Sequence, residues 1–141
     1  MIIYEDSKVN LFYDPAIASI VWTPLQYMKG AEWQIPFTKA IEFLEKQIIT
    51  TSNISWINDA RKLKIVSLDD LSWLNKNVND RCFQIGIRNV AFVLPENVFG
   101  KMAVEFYVEF TNRRSDLQFQ IKAFAKYDTA VKWITNTSVV K

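Results

Sequence analysis

The sequence predicts an α/β fold built on a mixed sheet. Residues 54–58 and 90–94 are short, largely apolar runs of the kind covered on both faces of a sheet. Between them Ser67-Leu68-Asp69-Asp70 has the form of a helix start. Strand, helix and strand in that order force a crossover, so the sheet is at least partly parallel. Three strand candidates nearer the N-terminus form a hairpin or meander instead, which makes that part antiparallel.

Residues 2–5, 9–13 and 18–22 are those first strands. Asp14-Pro15 starts the turn between the second and third, because Asp suits the first turn position and proline presets φ at the next. Pro24 and Gly30 bracket a loop whose Tyr27, Met28 and neighbouring Trp33 are too apolar for a free linker and are expected to pack over the sheet edge. A helix is predicted from Trp33 or Gln34 to Gln47. Its Phe37, Ala40, Ile41, Leu44 and Ile48 fall at offsets 0, 3, 4, 7 and 11, and Pro36 fits the first turn. The run 49–53 ends it.

In the next helix Ser67 can cap the N3 amide, Asp69 and Asp70 suit the positive dipole end, and Leu68, Leu71, Leu74 and Val78 supply the buried stripe. A break is expected at 77–80, then a turn over 81–85 leading to Gly86. Residues 98–112 form a helix with Phe99, Met102, Ala103, Phe106 and Phe110 as the expected core face. Val104, Tyr107 and Val108 widen its apolar surface. Either a second layer of the same domain covers them or they form a homodimer contact. Leu117, Phe119, Ile121 and Ala123 alternate with polar residues, which predicts an edge strand with one wet face. Asp128 caps a last helix through residue 135, where Ala130, Val131, Trp133 and Ile134 can pack; residues 136–141 are expected to fray.

The 141 residues fit one domain, at ~100–200 residues per domain. The net charge is +2 and no basic run exceeds a pair such as Arg113-Arg114, so no clustered basic face for nucleic acid is expected. Histidine is absent. That removes Ser-His-Asp and Cys-His catalysis, the commonest zinc sites and the usual base near neutral pH. Cys82 is alone, cannot form an intramolecular disulfide and reads as structural. An oxygen-only Mg²⁺ or Ca²⁺ site stays open in principle, but no Asp-x-Asp-x-Asp-Gly loop appears. No cofactor is expected. No run reaches ~18 apolar residues and the first residues lack a signal-peptide pattern, so no membrane span and a cytosolic location are expected. The sequons at Asn53 and Asn136 then read as chance matches.

Several short motifs stand in a fixed order: Tyr13-Asp14-Pro15, Ile20-Val21-Trp22, Trp56-Ile57-Asn58-Asp59-Ala60-Arg61-Lys62, Asp70-Leu71-Ser72-Trp73-Leu74 and Gly86-Ile87-Arg88-Asn89-Val90-Ala91-Phe92-Val93. With the order β-β-β-α-β-α-β-α-β-α, the chain resembles the STAS fold of anti-sigma-factor antagonists, the SpoIIAA-like family, and within it a bacterial branch of STAS-like proteins. The resemblance covers nearly the whole chain. It implies a mixed sheet with helices packed on it, no intrinsic catalysis, and a protein-interaction or ligand-sensing role. In the regulatory branch a serine after the central strand is phosphorylated to break partner binding. Here that region reads Val66-Ser67-Leu68-Asp69-Asp70-Leu71 and lacks the Asp-Ser-Ser-Gly pattern, so Ser67 stands as an N-cap more readily than as a switch.

Sites in parallel sheets lie outside the carboxyl ends of the strands. This places a candidate partner or ligand edge at Asn58, Asp59, Arg61, Ser67, Asp70, Glu96 and Asn97. Arg61 offers a planar donor fork for carboxylate or phosphate; alternatively it pairs with Asp59. Asn97 caps the helix from Val98, and Gly100 there either permits close backbone approach or is simply tolerated. The candidate self-association face is Val104, Tyr107 and Val108. Three functions follow. The first is a non-catalytic module for a protein partner, a second copy of the chain among the candidates. The second is a binder of a small apolar or amphipathic ligand between the sheet and the aromatic loop 23–33. The third and weakest is an enzyme using Asp59, Asp70 or Glu96. The five tryptophans with Tyr13, Tyr27 and Phe37 line such a pocket or, more simply, fill the core.

Overall fold

The structure, a computed structural model, describes residues 1–47, 53–65, 67–114 and 120–139. Six strands form one sheet in sequence order: β1 (Ile2–Glu5), β2 (Val9–Asp14), β3 (Ser19–Pro24), β4 (Ser55–Asp59), β5 (Asn89–Val93) and β6 (Gln120–Phe124). β1, β2 and β3 pair antiparallel; β3 through β6 pair parallel. The helices are α1 (Ala31–Gln47), α2 (Leu68–Trp73), α3 (Asp80–Ile85), α4 (Val98–Asn112) and α5 (Tyr127–Val139). This is the mixed α/β architecture predicted from the order of elements.

The sequential strand order decides the layers. Parallel connections are right-handed, so neighbouring crossovers that advance in one direction put their helices on one face. On that face α1, α2, α3 and α4 enclose the main core. Trp22, Phe37 and Trp56 are completely buried there, and Phe37 lies 4.7 Å from the Trp22 ring and 6.0 Å from the Trp56 ring. The opposite face carries α5, whose Ala130 and Ile134 pack on Val21, Ile57, Ala91 and Val93. Strand alternation assigns the residues: Trp56 and Asn58 face the first layer, Ile57 and Asp59 the second.

Local chemistry matches most element ends. Asp14 accepts from the Ala16 amide at 3.0 Å in the β2–β3 turn, which closes through Ala18 at a left-handed φ of 49°. Ser67 accepts from the Asp70 amide at 3.3 Å as the cap of α2. Asn97 Oδ1 accepts from the Phe99 and Gly100 amides at 3.0 and 3.3 Å. The expected strand positions Leu117 and Phe119, and Ile48 with the run 49–52, lie outside the described residues.

Three expectations change. The break at 77–80 is absent: a π-helical segment, Leu74–Asn79, joins α2 to α3 in one rod. The residues that suggested a break, Asn77 and Asn79, spend their amides on bonds that leave the rod intact, one within it and one to α4. Asn77 donates to the Trp73 carbonyl at 3.0 Å and Asn79 to the Tyr107 hydroxyl at 2.8 Å. The rod ends at Gly86, whose φ of 121° suits glycine. Next, the last helix continues past residue 135 to Val139. Finally, α4 turns the other way round. Gly100, Val104, Tyr107, Val108 and Thr111 are buried, while Phe99, Met102, Phe106 and Phe110 are exposed. The buried stripe contains the one residue without a side chain. A Cβ on Gly100 would stand 3.1 Å from Pro95 Cβ and 3.3 Å from the Leu63 carbonyl oxygen, so glycine is what lets α4 start close against the loops after β4 and β5. Tyr107 adds a hydroxyl partner in Asn79 that no phenylalanine of the other stripe could use.

Candidate functional site

β4 and β5 end side by side, with Asp59 in register with Val93. The chain leaving β4 bends back over the edge: the Ala60 amide donates to the Val93 carbonyl at 3.0 Å, and the Glu96 amide donates to the Arg61 carbonyl at 3.4 Å. These bonds hold the two loops together and open a cleft of about 670 Å³ outside the carboxyl ends of the strands. Thr23, Asp59, Arg61, Lys62, Leu63, Lys64, Glu96 and Asn97 line it.

Asp59 is the anchor. Its side chain is buried, and it accepts from Arg61 Nε and Nη2 at 2.8 Å each, a bidentate pair. The hydrogen-bonded carboxylate raises the guanidinium pKa further, so Arg61 is a permanent cation. Arg61 is 46% exposed, and its guanidinium carbon lies 5.4 Å from the centre of the Tyr127 ring at the start of α5. Burial, then the nearby Asp14 and Asp59 carboxylates, pushes the Tyr127 hydroxyl up, so the ring presents a neutral, aromatic face to the cation. The Asp59 pair uses the Nε hydrogen and one on Nη2. The remaining guanidinium hydrogens stay available on the exposed side. Lys62 and Lys64 are exposed beside it, as is Glu96.

Of the residues predicted for this edge, the fold brings Asp59, Arg61, Glu96 and Asn97 into one cleft. It takes three elsewhere. Asn58 points to the opposite face and accepts from Trp56 Nε1 at 2.6 Å, because side chains alternate along β4. Ser67 is occupied as the α2 cap. Asp70 is buried and accepts from the Gly30 amide at 3.3 Å, which puts a carboxylate at the positive end of α1. Asp70 therefore ties α2 to α1, away from Asp59 and Glu96. Thr23, Lys62, Leu63 and Lys64 are the site residues that sequence reasoning missed. The signal was present for the two lysines, since Arg61-Lys62-Leu63-Lys64 follows a predicted central strand directly.

Two other predicted surfaces are corrected by packing. Val104, Tyr107 and Val108 are buried beneath α4 and cannot serve as a self-association face; a charge placed at Val108 would test folding. The ligand space between the sheet and the loop 23–33 is filled. Met28 and Trp33 are buried, and the Trp33 ring stands edge-on to Trp22 at 5.1 Å. Burial pushes the Cys82 thiol up, against a small opposing effect of Arg81, which leaves it protonated and inert. Among the described residues no three acidic or cysteine side chains come close enough to hold a metal ion, and no helix is long and apolar enough to cross a membrane.

The architecture and the cleft together define a mixed α/β protein with a cleft flanked by Arg61, Lys62, Lys64 and the Tyr127 ring outside the carboxyl ends of its parallel strands. Among solved structures it is similar to a chain in the crystal structure of the diguanylate cyclase SiaD in complex with its activator SiaC from Pseudomonas aeruginosa. That similarity has 12% identity and a TM-score of 0.48, over 88% of this chain and 99% of that one. No protein-family model and no curated protein matches the sequence.

Proposed function

We infer that the protein is a single STAS-like domain acting as a non-catalytic interaction module. It receives an acidic segment of a protein partner in the cleft outside β4 and β5. The observation that carries this reading is the Asp59–Arg61 pair. A buried carboxylate holds the guanidinium in fixed orientation while half of it faces an open cleft. Pre-oriented in this way, Arg61 gives up little freedom when it bonds a second anion. Lys62 and Lys64 add charge that steers an acidic segment toward the cleft, and Glu96 selects against one that carries the wrong pattern. Recognition also fits the protein's buried titrating groups. Cys82 and Tyr107 are both buried with raised pKa, so neither supplies a base near neutral pH.

The test is a titration of isotope-labelled protein with a peptide carrying phosphoserine among glutamates, against a neutral version of the same length. Amide resonances of Arg61, Lys62, Lys64 and Glu96 are expected to shift with the acidic peptide only. The double variant Lys62→Glu/Lys64→Glu, at two exposed positions, is expected to abolish the shifts while melting like the parent. Shifts scattered over the surface, or equal shifts with the neutral peptide, would remove the assignment.

A further inference from the structure

The exposed side of α4 carries a continuous apolar stripe. Phe99, Met102, Phe106 and Phe110 are 80, 61, 63 and 52% exposed. Beside them, between α4 and the rod of α2 and the π-helical segment, lies a groove of about 200 Å³ lined by Leu68, Leu71, Ser72, Asn75, Phe106, Tyr107 and Phe110. Leu68 is itself 66% exposed on the groove's rim. At ~200 Å² per phenylalanine, these side chains leave roughly 600 Å² of apolar surface in water, the upper end of what monomers expose.

We propose that this face pairs with a second copy of the chain, α4 against α4 in antiparallel, two-fold symmetric contact, with Phe99 of each copy inserted in the groove of the other. Two observations favour a second copy over an unrelated partner. First, knob and hole lie on the same face. Phe99 stands about 13 Å along α4 from the middle of the groove at ~1.5 Å per residue. A two-fold axis between them seats both knobs at once, which is what an isologous interface requires. Second, the register that does this sets Met102 opposite the partner copy's Phe106, apolar against apolar. Two such faces bury roughly 1,200 Å², the lower limit for a specific interface, so the dimer is expected to be concentration-dependent. The cleft at Arg61 plays no part in it.

Light scattering after gel filtration, run from low to high micromolar concentration, tests the proposal. The mass is expected to rise from that of the 16.5 kDa chain toward twice that value. Phe106→Glu and Phe99→Glu each change an exposed side chain and are expected to stay monomeric with unchanged circular dichroism. A mass that stays at the monomer value throughout overturns the proposal, as does a dimer that both phenylalanine variants leave intact.

Discussion

Replacing Tyr107 by phenylalanine probes the polar seam between the π-helical segment and α4. The ring is buried, 5.7 Å from Phe92 and edge-on to it, and its hydroxyl accepts from Asn79 Nδ2 at 2.8 Å. Phenylalanine keeps the ring contacts and removes the bond. A buried neutral hydrogen bond is worth about 1 kcal/mol net, and an unsatisfied buried donor costs about 1–3 kcal/mol. Here Asn79 keeps a second acceptor, Asn75 Oδ1 at 3.3 Å, so the loss should lie toward the lower end, about 1–2 kcal/mol. For a chain of this length that lowers Tm by roughly 3–8 °C. The same substitution has a signature in alkali. Burial raises the Tyr107 and Cys82 pKa values above their ordinary 10.0 and 9.0. Both groups thus hold their protons in the folded chain after the unfolded chain has released them. Their contribution is intact below those ordinary values and is lost as pH rises toward the folded ones, at about 1.4 kcal/mol per pH unit per group. Between pH 9 and 11 Tyr107→Phe should therefore lose about 1.4 kcal/mol less stability than the parent. Urea unfolding at the two pH values measures both effects. A neutral substitution with an unchanged alkaline slope would refute the buried hydrogen bond and the raised pKa together.

Phe37→Ala should cost about 3–5 kcal/mol in urea unfolding, since the side chain is completely buried between the Trp22 and Trp56 rings. Ser67→Ala should cost about 1 kcal/mol as a lost cap, and Ser67→Asp should recover most of it; equal stability of all three proteins would remove the capping role. Ala18→Gly should raise Tm, with a gain of up to about 1 kcal/mol, because the β2–β3 turn holds Ala18 at φ 49°; a loss would show that its methyl group packs.

Much of the sheet was legible because strands carry their own signals. The run Val90-Ala91-Phe92-Val93 could only be a covered strand, and the Ser67, Asn97 and Asp14-Pro15 signals marked their element ends correctly. Half of the candidate site was legible for the same reason. Asp59, Arg61, Glu96 and Asn97 follow central strands, and parallel topology alone brings those loops to one edge. Asn58 was misplaced by one step of the pleat, which sends adjacent residues to opposite faces. Asp70 looked available and is instead committed to the Gly30 amide, 40 positions away in sequence, a distance over which no local rule operates.

The helix α4 shows most plainly where local pattern stops. Two apolar stripes run along it, and helical periodicity rates both as possible core faces. Sequence by itself determined that the segment is a helix, where it starts and that it crosses between parallel strands. Which stripe turns inward was decided only by the tertiary structure. Gly100 must meet Pro95 and Leu63, and the Tyr107 hydroxyl must find Asn79 on a different helix. Both demands concern neighbours that the fold supplies, so the phenylalanines, though more hydrophobic, were left facing the solvent.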